Sequence, residues 1–227
     1  MFLFKYLEKK YLEQFKEKGK IQIGNIECYR DIENEKVKDP LEGRTKYSIH
    51  AEQDPIELSV EQVNAITNDY HSSAELKIPP FNKFEDYLNV PNVFVFSTST
   101  TFDKNLMKKF ECDACYKIIN SKNFAKTIYQ EINKQYQLLF FVANKVNYVK
   151  TKEIFITNQN KNAVIRTTPY NRSKSDKIKK IYIEDYFTKT NAFREENEFR
   201  FIFVPRNPIG KKTVYLNCKK LIDYCKF

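Results

Sequence analysis

The sequence predicts an α+β fold with mostly antiparallel sheets, and three observations lead to this class. Apolar residues make up 41% of a chain of 227 residues, which is enough to build a core. Short apolar stretches with the period of strands alternate with stretches that have helical periodicity. No regular strand–helix–strand repeat links them, as a parallel sheet would require. The length predicts a single domain over residues 1–227.

The first 23 residues predict a compact strand–helix–strand unit. Residues 2–6 alternate weakly, as in a short strand, and residues 20–23 form a second strand candidate. Between them lies a helix whose apolar stripe is Leu7, Tyr11 and Phe15. Gly19 comes directly after a lysine-rich turn, which is typical of the end of a helix.

The rest of the chain contains further candidate elements. Residues 93–96 are apolar on both faces, which predicts a strand in the middle of a sheet. Ser121 is the expected cap of a helix with the apolar stripe Phe124, Ile128 and Ile132. Residues 56–66 have a weak helical pattern. The remaining strand candidates are residues 116–119, residues 138–142 paired with residues 146–149, residues 198–204 and residues 213–217.

Several classes of protein are excluded by what the sequence lacks. No apolar run approaches the ~20 residues of a membrane span, and the apolar start is too short for a signal peptide, so we expect a cytoplasmic protein. The five cysteines are an odd number, which fits reduced thiols. Cys112 and Cys115 have the spacing of half a zinc site, but we expect small buried side chains and no metal. Phosphate-binding loops, nucleophile elbows and His-Glu-x-x-His sequences are missing, which excludes the corresponding hydrolases and zinc peptidases.

The most informative segment runs from Arg194 to Phe203 and contains Glu196, Glu198 and Arg200. On a strand these three side chains point to one face, and the intervening phenylalanines point to the other, into a core. Like charges at this distance raise the pKa of one carboxyl group, and a neighbouring arginine opposes the rise. Such a group occurs in active sites and also on solvated edge strands.

Hydroxyl and arginine side chains follow two of the predicted strands. Residues 97–101 are all serine or threonine and come directly after the buried strand, where they can hold a neighbouring strand or line a cleft. Tyr29, Arg30 and Arg44 come after the second strand. Each of these features also has a simpler explanation, as a turn or as a solvated loop residue.

In their order along the chain these segments resemble the Arg-Ser-Glu class of the ADP-ribosyltransferase superfamily. That class has an early aromatic–arginine pair, a Ser-Thr-Ser strand and a late Glu-x-Glu strand, matched here by Tyr29-Arg30, Ser97-Thr98-Ser99 and Glu196-Asn197-Glu198. The opening unit also resembles that of members that modify nucleic acids, and Lys5-Tyr6 would there hold the nicotinamide end of NAD. The resemblance implies a core of mostly antiparallel sheets with peripheral helices and a basic insertion. It extends to bacterial toxins and to proteins found near phage-defence loci.

The resemblance also implies roles for these residues in NAD-dependent ADP-ribosyl transfer. Glu198 would stabilise the positive charge that develops on the ribose as nicotinamide leaves, and Glu196 would orient or deprotonate the acceptor. NAD would be a substrate, and no metal is implied. The residues that would bind NAD are Lys5, Tyr6, Tyr29, Arg30, Arg44, Ser97, Thr98 and Ser99.

The distribution of charge bears on the acceptor. Residues 145–180 hold ten Lys or Arg against two acidic residues, and so carry +8 of the net charge of +10. Such a stretch with nearby tyrosines suits a single strand of nucleic acid, although a lysine-rich composition makes many surfaces basic. We therefore favour RNA or single-stranded DNA over a protein as acceptor. The candidate contacts are Lys145, Lys150, Arg166, Arg172, Lys174, Lys177, Lys179 and Lys180.

A transferase of this kind would harm its own cell, so we expect a toxin in a toxin–antitoxin or anti-phage defence setting. Residues 47–76 contain six acidic residues and no Lys or Arg, and this acidic segment could bind a basic antitoxin protein. The alternatives are ADP-ribosylation of a protein, hydrolysis of NAD, and a basic nucleic-acid-binding protein without enzymatic activity.

Overall fold

The computed structural model describes residues 1–30, 38–60, 62–63, 75–89, 92–159, 186–210 and 213–227. The chain divides into two compact units. The first unit consists of residues 1–42, 91–149 and 187–227, and the second consists of residues 43–90 and 150–186. In the sequence, the second unit therefore interrupts the first unit twice.

Helices and strands alternate irregularly along the described residues. The first part of the chain contains β1 (Leu3–Leu7), α1 (Lys9–Lys18), β2 (Lys20–Asn25), α2 (Ile26–Arg30), β3 (Arg44–His50), β4 (Ile56–Leu58), β5 (Leu76–Ile78), β6 (Lys83–Asn89) and β7 (Phe94–Ser99). The second part contains α3 (Lys104–Lys109), β8 (Ala114–Ile118), α4 (Ser121–Tyr136), β9 (Leu138–Lys145), β10 (Asn147–Val149), β11 (Glu153–Thr157), β12 (Thr188–Thr190), β13 (Glu198–Pro205), β14 (Val214–Asn217) and β15 (Cys225–Lys226). Two 3-10 helices span Asn191–Glu196 and Lys219–Tyr224.

The first unit is built on an eight-stranded sheet whose main path has the order β14-β2-β7-β1-β8-β15. Its strand pairings are antiparallel. β13 pairs with β7 from Glu198 opposite Ser99 to Phe203 opposite Phe94, and β9 pairs with the other edge of β13. A separate parallel pair joins β10 to β12. β7 is thus bordered by strands on both edges, as its apolar sequence predicts.

The core of the first unit contains side chains of this sheet and of helices α1 and α4. The predicted stripe of α4 is fully buried, as expected for an amphipathic helix. Its cap is Asn120 and not Ser121, because the Asn120 side chain accepts the N–H of Asn123 at 3.2 Å. In α1, Leu12 and Phe15 are buried, whereas Tyr11 is exposed.

Gly19 ends α1 in the left-handed conformation, with a φ of 65°. Its N–H donates to the carbonyl oxygen of Phe15 at 2.7 Å, and its carbonyl oxygen accepts the N–H of Cys218 at 3.1 Å. A Cβ at this position would lie 2.1 Å from the carbonyl oxygen of Cys218. Both the backbone conformation and the close approach of a second backbone therefore require glycine here.

The variant Gly19→Ala is expected to lower the free energy of unfolding by more than about 1 kcal/mol, because a left-handed conformation alone costs a non-glycine residue about that much and the contact with Cys218 adds to it. Gly210→Ala is the control, since a Cβ on Gly210 would meet no atom within 4 Å. Urea unfolding followed by circular dichroism measures both variants. Equal losses of stability in the two would contradict the prediction.

The second unit contains a three-stranded sheet of order β11-β3-β6 and a two-stranded sheet of β4 and β5. β3 pairs in parallel with β11 and antiparallel with β6. Tyr47 and Ile49 of β3 and Ile156 of β11 lie on one face of the larger sheet, where they are buried with Ile56 and Leu58 of β4. Because side chains alternate along a strand, the polar residues of these strands lie on the opposite face.

The fold class is confirmed as α+β with mostly antiparallel sheets. Two further predictions about single elements are wrong, wholly or in part. Residues 56–58 form β4, because Ile56 and Leu58 alternate with exposed Glu57, whereas residues 60, 62 and 63 of the predicted helical stretch are helical. Strands β9 and β10 do not pair with each other, since β9 pairs with β13 and β10 with β12. The single domain stays a prediction. None of the described helices has the length and apolar composition needed to cross a membrane.

Candidate active site

β7 changes its partner along one edge, and this opens the sheet. Near the start of β7, Val95 lies opposite Gly24 of β2. At its end, Ser99 lies opposite Phe4 of β1. Strands β1 and β2 diverge between these two points, so residues 96–98 pair on this edge with no strand among the described residues.

A cleft with two adjoining lobes lies where β1 and β2 diverge. The larger lobe has a volume of about 370 Å³ and the smaller lobe about 190 Å³. Lys5, Tyr6 and Tyr29 line both lobes. The larger lobe is also lined by Tyr11, Gln14, Lys20, Cys28, Phe96 and Tyr215. The smaller lobe is also lined by Phe4, Ser97, Thr98, Ser99, Lys189, Glu196 and Glu198.

Two side chains take the place of the missing strand hydrogen bonds. The Nζ of Lys5 donates to the carbonyl oxygen of Ser97 at 2.9 Å, and the Oη of Tyr29 donates to that of Val95 at 3.4 Å. Burial lowers the pKa of Lys5, and the nearby Glu198 opposes only part of this. Burial raises the pKa of Tyr29 to about 12. Two backbone carbonyl groups at this edge thus accept hydrogen bonds from residues that also line the cleft.

A buried network of ion pairs borders the smaller lobe. Arg200, only 1% exposed, donates to both carboxylate oxygens of Glu42, at 2.6 and 2.8 Å. It also donates to both carboxylate oxygens of Glu198, at 2.7 and 3.0 Å. Both pairs are bidentate, which is the strongest geometry between a guanidinium and a carboxylate. Arg200, which lies on the same strand as Glu198, therefore holds the Glu198 carboxylate in one orientation.

Lys189 brings Glu196 and Glu198 together. Its Nζ lies 2.8 Å from the Oε2 of Glu196 and 3.3 Å from the Oε2 of Glu198. All three side chains are buried. The Oε1 of Glu196 lies 3.3 Å from the Nζ of Lys109, which also pairs with exposed Glu195 at 2.7 Å. The two predicted catalytic carboxylates therefore meet at a shared lysine.

The strand predicted for residues 198–204 is confirmed as β13, but the first part of the informative segment, which contains Glu196, is not a strand. Glu196 ends the 3-10 helix, and Asn197, with a φ of 45°, turns the chain into β13. Glu198 and Arg200 do lie on one face of β13, and its phenylalanines face the core. Glu196 thus reaches the cleft from a helix end and not through the alternation of a strand.

The pKa values of the two carboxyl groups shift in opposite directions. Burial acts to raise both values. For Glu198 the charges of Arg200 and Lys189 outweigh burial and hold the pKa well below its usual range. For Glu196 burial outweighs the attraction of Lys189, and the neighbouring Glu198 adds to the rise of the pKa. One ionised carboxylate beside a carboxyl group that binds a proton more readily is typical of acid–base pairs in active sites.

Of the five hydroxyl residues predicted to follow the buried strand, Ser97, Thr98 and Ser99 belong to β7 itself. The Oγ1 of Thr98 donates to the carbonyl oxygen of Phe199 at 2.9 Å, and the Oγ of Ser99 accepts the N–H of Thr101 at 3.2 Å. The Oγ of Ser97 is buried beside Tyr29 and Glu198, and it acts to lower the pKa of both groups. Of these three hydroxyls, that of Ser97 retains the most capacity to bind a ligand.

The other residues predicted to bind NAD lie in different places. Tyr6 lines both lobes, but its Oη donates to the carbonyl oxygen of Thr101 at 2.9 Å and accepts the N–H of Asp103 at 2.7 Å. It therefore holds the turn after β7 while its ring borders the cleft. Arg30 ends α2, and its side chain is not among those described. Arg44 begins β3 in the second unit.

The predicted contacts to nucleic acid are described only in part. Lys145, at the end of β9, and Lys150 are exposed. Six predicted contacts lie outside the described residues, namely Arg166, Arg172, Lys174, Lys177, Lys179 and Lys180. The basic insertion of residues 145–180 therefore stays a prediction over most of its length.

Three residues that contact Glu198 or Arg200 were not predicted to do so from the sequence. Glu42 lies 158 positions before its partner Arg200, and Lys189 lies outside any motif. The Oη of Tyr148 accepts the backbone N–H of Glu198 at 2.8 Å. The one available signal was the segment Asp39-Pro-Leu-Glu42, in which an aspartate before proline marks a turn.

Among the described residues, no group of three or more His, Cys, Asp or Glu is placed to hold a metal ion. Cys112 and Cys115 are free thiols and half-buried. The groups that line the cleft are thus carboxylates, ammonium groups, hydroxyls and aromatic rings.

Comparison of the chain with protein-family models, with curated proteins and with solved structures found no match.

Proposed function

We propose that this chain is an NAD-dependent ADP-ribosyltransferase with the core of that superfamily, and that its acceptor is RNA or single-stranded DNA. The observation that carries the proposal is the pair of buried carboxylates, with pKa values shifted in opposite directions, in the wall of a two-lobed cleft. A dinucleotide needs two adjoining compartments, with charged groups at the end where the reaction takes place. The ordered motifs that resemble the Arg-Ser-Glu class support the same assignment.

Glu198 suits the first half of the reaction. When the bond between the ribose C1′ and the nicotinamide nitrogen breaks, nicotinamide leaves as a neutral molecule with the bonding electron pair. Positive charge then develops on the ribose, much as in glycoside cleavage. A carboxylate that is ionised and held in place stabilises this charge more than it stabilises the substrate, which lowers the barrier. Arg200 and Lys189 keep Glu198 in that state.

Glu196 suits the second half of the reaction. An acceptor oxygen or nitrogen forms the new bond to C1′ and must lose its proton. A carboxyl group with a raised pKa accepts a proton more readily than an ordinary carboxylate, and Glu196 meets this condition. The positive charge of Lys189 would partly neutralise the two carboxylates before the proton is transferred, since its Nζ lies within 3.3 Å of both.

The two lobes support a division of the dinucleotide. The smaller lobe contains both carboxylates and Ser97, and would take the nicotinamide ribose. The larger lobe contains Tyr11 and Tyr215, which could stack against the adenine, and Lys20, which could pair with a phosphate. A toxin restrained by an antitoxin remains the cellular setting that we propose for such an enzyme.

The test is incubation with NAD labelled in the adenylate part, together with RNA, single-stranded DNA and cell lysate. We expect label on nucleic acid and release of nicotinamide, with both lowered about 100-fold to 1,000-fold in Glu198→Gln. Glu131→Gln is the control, because Glu131 forms an ion pair with Lys134 on the surface of α4, outside the cleft lining. Circular dichroism verifies that both variants are folded.

The possible outcomes separate the candidate functions. Label on protein alone would replace the proposed acceptor, and nicotinamide release without transfer would indicate hydrolysis of NAD. No turnover of NAD by wild type with any acceptor would overturn the proposal and favour a non-enzymatic binding protein.

A further inference from the structure

The second unit has a polar sheet face that the proposed reaction does not use. Along β3, Arg44, Lys46, Ser48 and His50 alternate with the buried residues of the core face. The partners of Lys46 on the same face are Tyr87 of β6 and Glu153 of β11. The partners of Ser48 on the same face are Glu85 of β6 and Phe155 of β11. We refer to these eight residues, with Lys83 opposite His50, as the polar face of the second unit.

Two large aromatic side chains on the polar face are exposed. Tyr87 is 41% exposed and Phe155 is 53% exposed, and they lie on the two strands that flank β3. On the opposite face of the same sheet, Tyr47 and Ile49 of β3 and Ile156 of β11 are at most 2% exposed. Burial of the two aromatic rings is therefore not needed for the core of this unit.

Each exposed ring has a nitrogen-bearing side chain beside it. The guanidinium of Arg44 lies 5.7 Å from the ring centre of Tyr87, and the ring of His50 lies 6.2 Å from that of Phe155. A planar guanidinium stacks on nucleobases as well as on aromatic rings. The face therefore offers two flat surfaces, one on each strand that flanks β3, and each has a nitrogen-bearing side chain beside it.

The charged residues of the polar face are three cations and two carboxylates. Glu85 and Glu153 are both paired with Lys46, at 2.9 and 3.2 Å, and Lys83 also pairs with Glu85. The hydrogen bonds from Lys83 and Lys46 lower the pKa of Glu85 to about 2. Arg44, Lys46 and Lys83 outnumber these two carboxylates by one. β11 also lies inside the basic stretch of residues 145–180.

We propose that the polar face of the second unit binds a single strand of nucleic acid, with its bases stacked on Tyr87 and Phe155. Stacking on exposed aromatic rings of a sheet, with cations that follow the backbone, is a general way to bind unpaired bases. The inference rests on the proposed function only in one respect: the strand bound here would be the acceptor. The binding itself needs neither NAD nor the carboxylates of the cleft.

The test is the affinity of the full chain for fluorescent oligonucleotides of 12 nucleotides, measured by anisotropy. The oligonucleotides are single-stranded RNA, single-stranded DNA and a blunt duplex. We expect Tyr87→Ala and Phe155→Ala each to raise the Kd for single strands at least about fivefold, because stacking on an aromatic ring contributes this much or more per base. Tyr87→Phe keeps the ring and is expected to keep the affinity. The RNA and DNA arms determine which of the two strands is preferred.

Phe81→Ala is the matched control, because Phe81 is 84% exposed in the same unit but lies on the turn before β6 and outside the polar face. Its Kd should equal that of wild type. Equal affinity for the duplex, or less than a twofold effect of both alanine variants, would overturn the inference. Glu198→Gln should bind single strands like wild type, because Glu198 lines the cleft and is not part of the polar face. The anisotropy measurement contains no NAD, so failure of the proposed reaction would leave this binding result intact. If the alanine variants bind like wild type, nicotinamide release by wild type and by Glu198→Gln still tests the proposed reaction.

Discussion

The replacement of Glu42 with glutamine is expected to lower the free energy of unfolding by about 3 to 5 kcal/mol, the usual cost of removing one partner from a buried ion pair. Both oxygens of Glu42 accept hydrogen bonds from Arg200 within 2.8 Å, and Arg200 is 1% exposed. Glutamine removes one of the two carboxylates to which Arg200 donates in bidentate geometry among the described residues. Urea unfolding measures the loss, with Glu131→Gln as control, for which a surface pair predicts less than about 1 kcal/mol.

A double-mutant cycle separates the ion pair from other effects of Glu42. Arg200→Met removes the charge that Glu42 neutralises, so the loss in Glu42→Gln/Arg200→Met should be smaller than the sum of the two single losses. In the folded fraction, Glu42→Gln should also lower nicotinamide release, because Glu42 positions Arg200 and Arg200 in turn holds Glu198. Glu42 itself does not line the cleft, so this effect would be indirect. Additive losses of stability would show that Glu42 does not act through Arg200.

The variant Lys189→Met is expected to lose roughly 3 kcal/mol of stability at neutral pH and to regain part of it on acidification. Lys189 lowers the pKa of both Glu196 and Glu198, so both values should rise when it is removed. A carboxyl group whose pKa is higher in the folded than in the unfolded chain binds more protons when folded. Its contribution to stability is then complete below the unfolded pKa and is lost as the pH rises through the folded pKa.

In wild type the two carboxyl groups act with opposite sign. The raised pKa of Glu196 lowers stability as the pH rises above the usual carboxyl range. The lowered pKa of Glu198 contributes stability that is present above that range and is lost as the pH falls below it. Urea unfolding from pH 4 to pH 8 should therefore show Lys189→Met approaching wild type toward the acidic end. A constant difference across this range would contradict the assignment, and Lys134→Met, on the surface of α4, is the control.

Local sequence patterns predicted most elements of the first unit. The stripe of α4, the glycine after α1 and the apolar run of β7 depend on neighbours within a few residues, and these features appear where they were predicted. Of the stripe predicted for α1, only Phe15 is buried in the helix, since Leu7 belongs to β1 and Tyr11 is exposed. The alternation of β13 likewise placed Glu198 and Arg200 on one face. Hydrophobic periodicity and helix-end signals are sufficient to predict features of this kind.

Strand partners could not be predicted in the same way. β9 and β10 follow one another closely, yet each pairs with a strand more than thirty positions away, Leu138 with Pro205 and Asn147 with Thr188. A strand pairs with whichever edge the packed sheet leaves open, and its own sequence does not encode that edge. The short β4 was missed because three residues are too few for a period to be distinguished.

The local sequence was thus enough for the fold class, for the elements around β7 and for the candidate carboxylates Glu196 and Glu198. The cleft itself depends on the divergence of β1 and β2 along one edge of β7, which no local pattern records. The partners of the carboxylates come from distant positions, Glu42 through Arg200 and Lys189 directly. A buried charge must be neutralised by whatever the fold brings within reach, and so the ionised state of Glu198 is a property of the packed chain.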